Sequence, residues 1–126
     1  CIRDRLEAVE DARMAVIAQA LGKALAQAEE STEYVLQGLR DDVSVALGAS
    51  FDYLMQTGFL FGGWHMARSA LVAWRRVQQG SDNPFYEQKI ATAVFYAEQV
   101  LPRCAGHAGA VAAASGSLQS YPLDWV

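Results

Sequence analysis

A chain of 126 residues, 52% of them hydrophobic, has room for one domain with a buried core. Its net charge of −4 comes from 10 basic and 14 acidic residues spread along the chain, which leaves no electrostatic footprint for nucleic acid or an anionic membrane surface. The most apolar stretch, residues 59 to 74, is interrupted by Gly62, Gly63, His65 and Arg68 and falls short of the ~20 residues a spanning helix needs, so the chain reads as soluble.

Abundant alanine, 3 prolines and few β-branched runs favour helices over strands. From Leu6 the apolar and small residues recur at threes and fours through Val9, Met14, Ile17, Leu21, Ala24, Ala28 and Val35, predicting one long helix that ends at a turn near residue 40. A break near Glu30, with Ser31 as a second N-cap, is the alternative. Asp42 then caps a second helix running to about residue 79, whose stripe passes through Val43, Leu47, Phe51, Leu54, Phe61, His65 and Val72. Gly48, Gly58, Gly62 and Gly63 each weaken that helix by up to ~1 kcal/mol against alanine. Such glycines are read first as notches for close packing by a neighbouring helix, and second as a ligand groove or hinge near Gly62 and Gly63.

The run Gly80-Ser81-Asp82-Asn83-Pro84 is the clearest punctuation in the chain, combining a helix-ending glycine, a capping residue and a proline suited to a first turn. A third helix follows over residues 84 to 112, kinked at Pro102, with Tyr86, Ile90, Ala93, Ala97, Leu101, Cys104, Ala108 and Val111 on one face. The tail SGSLQSYPLDWV carries Leu118, Tyr121, Leu123 and Trp125, apolar enough to dock on the bundle or on a neighbouring domain. Residues 1 to 126 therefore read as a single all-α domain, an up-down-up bundle of three long antiparallel helices. A rod of that shape has a long side wall, which implies a covering partner, either an identical chain or another domain, with Ala97 and Ala108 as interface positions if the third helix faces it.

The search for chemistry returns mostly absences. His65 and His107 stand 42 positions apart and no His, Cys, Asp or Glu cluster repeats at ligand spacing, so no metal site is read. His65 beside Trp64 is read as a hydrogen-bonded core or rim residue, since only the near-neutral pKa of any histidine speaks for a catalytic base, and Cys104 is read as a buried small hydrophobe, since no base can be assigned to it. Glu33, Asp52, Lys89 and Glu98 are the charged groups set nearest apolar residues, candidates for ion pairs between helices. The Glu-x-x-His pairs of a carboxylate metal site are absent, as are the glycine-rich nucleotide loops and the Gly-x-Ser-x-Gly elbow. The aromatic set, including Phe51, Phe59, Phe61, Trp64, Phe85 and Phe95, reads as core. No catalytic, cofactor-binding or metal-binding residue is assigned. Cys1 and Cys104, at no ligand spacing, fit a reducing, cytoplasmic compartment.

One ordered set of residues carries a resemblance. Gly63-Trp64, Ala67-Arg68, Ala73, Gly80, Phe85-Tyr86, Lys89-Ile90-Ala91-Thr92-Ala93, Phe95-Tyr96-Ala97-Glu98 and Leu101-Pro102 together resemble the extra C-terminal domain of a branch of long acyl-CoA dehydrogenases, the acetyl-CoA dehydrogenase C-terminal-like domain. The likeness covers residues 49 to 102 well and the first helix only loosely. It implies a parent flavoprotein that uses FAD to introduce a double bond into an acyl thioester. The flavin and the catalytic carboxylate would belong to a core upstream, and the bundle would pack on that core or across a subunit interface. No family catalytic residue maps onto this chain, which is too short for a complete enzyme of that kind. The reading that follows is a non-catalytic domain serving assembly and the shaping of the substrate entrance. The alternative is a free-standing helical scaffold or protein-binding module acting as a homodimer.

Overall fold

The structure, a computed structural model, describes residues 1–119. These form five helices, α1 (Ile2–Glu7), α2 (Ala12–Asp41), α3 (Val43–Gln78), α4 (Pro84–Gln99) and α5 (Arg103–Gln119). α2 rises, α3 descends, and α4 with α5 rises again as one bent helix, so the expected up-down-up bundle is present. The expected docking of the tail through Tyr121, Leu123 and Trp125 lies outside the described residues. No helix among the described residues is long and apolar enough to cross a membrane.

The first long helix starts later than its periodicity suggests. α2 opens at Ala12 because Asp11, in an extended conformation, accepts a 2.9 Å bond from the Arg13 amide and so caps the free amides of the first turn. The Arg13 guanidinium returns to the Asp11 carboxylate at 2.8 Å and reaches Glu87 of α4 at 2.6 Å, tying the start of α2 to the start of α4. Ahead of this clamp α1 folds back separately and inserts Leu6, fully buried beside Met14 and Ile17. Beyond Asp11 the helix is continuous. The alternative break near Glu30 is absent, and Thr32 instead bonds the Ala28 carbonyl and the Tyr53 hydroxyl of α3.

The inward face of α3 is the principal correction. Ala46, Ala49, Gln56, Gly63, Ala67, Ala70, Leu71 and Ala73 are buried, whereas Val43, Leu47, Phe51, Leu54, Phe61 and Val72 are each more than half exposed. The helix is apolar on nearly every side, so spacing alone offers two stripes. The small-residue stripe faces inward because α2, α4 and α5 all pack on α3, and only short side chains let three backbones approach one helix. Trp64, Phe85 and Phe95 are exposed too, so of the six aromatics named for the core only Phe59 is off the surface, partly buried against the core. Ala97, by contrast, is buried, which removes it from any interface on the third helix.

Gly62 and Gly63 are packing notches. A Cβ at Gly62 would overlap the Tyr96 hydroxyl, and one at Gly63 would stand 2.6 Å from a methyl of Leu101. Tyr96 donates from its hydroxyl to the Phe59 carbonyl at 3.1 Å, which locks α4 over that notch. At the bend Pro102 has no N–H to give. The ladder loosens, with Val100 and Leu101 both donating to the Tyr96 carbonyl, and then restarts with the three-residue steps Arg103 to Val100 and Cys104 to Leu101, each 3.0 Å. At the other end of α3, Gly80 (φ +85°) takes the left-handed conformation that lets Gly80 donate to Val77 and Ser81 to Arg76.

Three outcomes follow from this packing. In urea unfolding, Ile90→Ala costs about 2–5 kcal/mol, because Ile90 is fully buried, and Leu54→Ala costs under ~1 kcal/mol. Gly63→Ala destabilises by about 1–3 kcal/mol through the displaced Leu101, while Gly109→Ala, whose Cβ meets nothing within 4 Å, stabilises by up to ~1 kcal/mol. Asp11 is held below the ordinary carboxylate range by its side-chain bond to Arg13, against the upward pull of burial. Its contribution is therefore present above the unfolded value of ~4 and is lost as pH falls through the folded value. Urea midpoints measured from pH 7 to pH 2 drop less steeply for Asp11→Asn, which keeps a capping oxygen, than for the native chain.

Candidate functional site

The polar and ligand-sized features of the described residues lie in different places. On the α3–α5 seam, Nδ1 of His107 donates to Oδ1 of Asp52 at 2.7 Å, and the imidazole leans on the Phe59 ring at 5.6 Å between centroids. Asp52, a single carboxylate between Phe51 and Tyr53 on an apolar helix, was expected to pair between helices and does; that His107 is its partner was not anticipated, since the two stand 55 positions apart. Among the described residues no hydroxyl or thiol is bonded to this imidazole, so the pair orients no nucleophile.

One turn earlier on α5, Cys104 is fully buried. Burial pushes its thiol up from the ordinary range, and its Sγ donates to the Gln56 carbonyl at 3.7 Å. The Gln56 side chain is equally buried, and neither its amide nitrogen nor its oxygen finds a partner, an internal cost of the kind a core normally avoids. Cys104 thus has the raised pKa of a structural thiol, opposite to what a nucleophile requires. Among the described residues Glu33, Lys89 and Glu98 join no ion pair. Lys89 lies over the Phe85 ring at 5.4 Å instead.

Two concavities flank α3. The first is an apolar cavity of about 340 Å³ between α1, α2 and α3, lined chiefly by Ile2, Leu21, Leu25, Leu60, Phe61 and Trp64. The second is a more open trough of about 360 Å³ between α3 and α4, where His65, Arg68 and Lys89 meet Phe85 and Tyr86. Arg68 stacks on the Trp64 ring at 4.6 Å and His65 meets the same ring edge-on at 4.8 Å. Of the core and rim placements open to His65, the structure shows the rim. Among the described residues no group of three His, Cys, Asp or Glu side chains is placed to hold a metal ion.

Residues 2–122 match the family model described as acetyl-CoA dehydrogenase C-terminal like. The chain belongs to this family. It is 35% identical over 107 residues to 3-methylmercaptopropionyl-CoA dehydrogenase of Ruegeria pomeroyi, covering 85% of this chain and 18% of that protein. It is 36% identical over 94 residues to the broad-specificity linear acyl-CoA dehydrogenase FadE5 of Mycobacterium tuberculosis, covering 70% of this chain and 15% of that protein. The domain thus spans less than a fifth of the length of these curated relatives. No solved structure matches it.

The thiols supply a direct check of the core around Gln56. With a disulfide reagent such as Ellman's at pH 8, one thiol per chain, the exposed Cys1, reacts promptly, and the buried Cys104 reacts only after denaturant is added. Prompt reaction of both would mean that the α3–α5 seam opens.

Proposed function

We propose that this chain is the non-catalytic C-terminal helical domain of an FAD-dependent acyl-CoA dehydrogenase-like enzyme, with a role in assembly and in shaping the substrate entrance. The observation that carries the reading is the family match along nearly the whole chain, together with relatives that are acyl-CoA dehydrogenases and of which this domain is a small part. Its surface supports the same reading. The side-chain polar contacts between its helices include fold-making ones: Asp52 with His107, Arg13 with Glu87, Tyr96 with Phe59.

The residues present do not fit a flavin. The α1–α3 cavity is almost wholly apolar and has nothing to hold a pyrophosphate beyond Arg3 at its rim. The α3–α4 trough has cations but is shallow and open, whereas a cofactor site buries most of its ligand among converging polar groups. In this reading the flavin and the catalytic base belong to the body of the parent enzyme, and this domain contributes no residue to the reaction. Assembly is the part its exposed apolar α3 face supports, because such a face is stable in water only as a minor fraction of a surface or when covered.

The test is an absorbance and fluorescence titration of the purified chain with FAD and, separately, with an acyl-CoA. No saturable binding of FAD up to 100 µM is expected. Saturable FAD binding would overturn the assignment to a domain without its own cofactor site.

A further inference from the structure

The trough between α3 and α4 is set apart by its charge. The chain as a whole is acidic, yet from Tyr53 to Ser81 it carries Arg68, Arg75 and Arg76 and no carboxylate. The trough takes Arg68 and His65 from α3 and Lys89 from α4, and among the described residues no Asp or Glu lines it. Neither Arg68 nor Lys89 joins an ion pair among the described residues. Each lies against an aromatic ring instead, the Arg68 guanidinium over Trp64 at 4.6 Å and the Lys89 ammonium over Phe85 at 5.4 Å. A ring face holds a cation in place without neutralising it, so two positioned charges border one concavity of about 360 Å³.

The surroundings leave that charge uncancelled. Glu87, the acid closest in sequence to the α4 wall, is turned to Arg13 of α2 at 2.6 Å and is matched there. Phe85 and Tyr86 stand in the first turn of α4, where the helix dipole adds positive potential. The Phe85 amide already donates to the Asn83 side chain at 3.0 Å, so the helix end adds field and the donors come from the side chains.

We infer that this trough binds a terminal phosphate group, a phosphate monoester carried on a small organic molecule with a flat ring. The guanidinium of Arg68 presents paired N–H edges that match two phosphate oxygens, and the Lys89 ammonium supplies a compact second charge for a dianion. Phe85, more than half exposed, offers a ring face beside them, which suits a nucleotide. The walls are shallow, so the ligand is held at its phosphate end and the remainder stays in solvent. FAD is not that ligand, because both of its phosphates are internal to a pyrophosphate. The inference stands on the trough and does not rest on the flavoprotein assignment.

Amide NMR titrations of the whole 126-residue chain read the binding, with AMP, inorganic phosphate, adenosine and glutarate as separate probes in low-salt buffer. AMP binds with a Kd on the order of 1 mM, as suits an open site, and shifts the amides of Ser69, Ala73, Phe85, Tyr86 and Lys89. Inorganic phosphate moves the same amides, adenosine leaves them in place, and raising NaCl to ~0.3 M weakens AMP binding about threefold or more. Arg68→Gln and Lys89→Gln each weaken it by about threefold or more and the double variant abolishes it. Circular dichroism and the urea midpoint stay native in these variants, because Arg68 is exposed and Lys89 only half-buried. No shift with about 10 mM AMP or phosphate, or binding that survives in the double variant, overturns the inference. Equal shifts with adenosine would mean that the trough reads a ring, and equal shifts with glutarate that it reads charge alone; either result also overturns it. Saturable FAD binding that leaves the trough amides unmoved would defeat the functional reading above and leave this one intact.

Discussion

Everything in this bundle hangs on how closely three helices can approach α3. Its inward stripe is alanine, glycine and one glutamine for most of its length, and at two points the neighbours reach the backbone itself: Tyr96 over Gly62 and Leu101 over Gly63. Dispersion falls off within a fraction of an ångström, so a stripe of small residues gains contact energy only if the partner helices come close enough to touch it. That closeness sets the consequences elsewhere. It brings α5 near enough for His107 to reach Asp52, buries Cys104 against the Gln56 carbonyl, and leaves Leu71 as the one large apolar side chain of α3 that is fully buried.

The bend at Pro102 belongs to the same constraint. A straight third helix would carry α5 away from a partner at the angle α4 adopts. Removing one backbone donor lets the chain re-aim after Leu101 has seated on Gly63. The two halves then pack on different segments of α3, α4 through Ile90, Ala93 and Ala97 and α5 through Val111 and Ala114. The Arg13 clamp plays a corresponding part at the other end, where it joins the beginnings of α2 and α4 through charge-assisted bonds. Gln56 is the exception to this economy. It is buried with both polar atoms unpartnered, and nothing in the structure explains it.

As a surface, α3 is unusual in keeping most of its large hydrophobic residues outside and mainly small ones inside. This inversion links the fold to the proposed role. A helix whose small face is occupied by intramolecular packing still presents a long apolar face, and the proposed part in assembly rests on it.

Residue order alone determined the helix count of the bundle's three long arms, the turns at 40 and 80, the capping by Asp42 and Asn83, the bend at Pro102 and the inward face of α4 and α5. These are local matters: a proline without a donor, a glycine able to take positive φ, an aspartate able to cap, and a single apolar stripe with one possible orientation. The family resemblance was legible for a related reason, because it rides on the same glycine and proline landmarks. Tertiary structure alone decided which stripe of α3 turns inward, because a helix apolar on all sides has no preferred face until its neighbours demand close approach. It also decided the separation of α1 at Asp11, which depends on Arg13 finding Glu87 across the bundle, and the meeting of Asp52 with His107. Partners that distant in the chain are set by how the helices align, and alignment is a property of the packed whole.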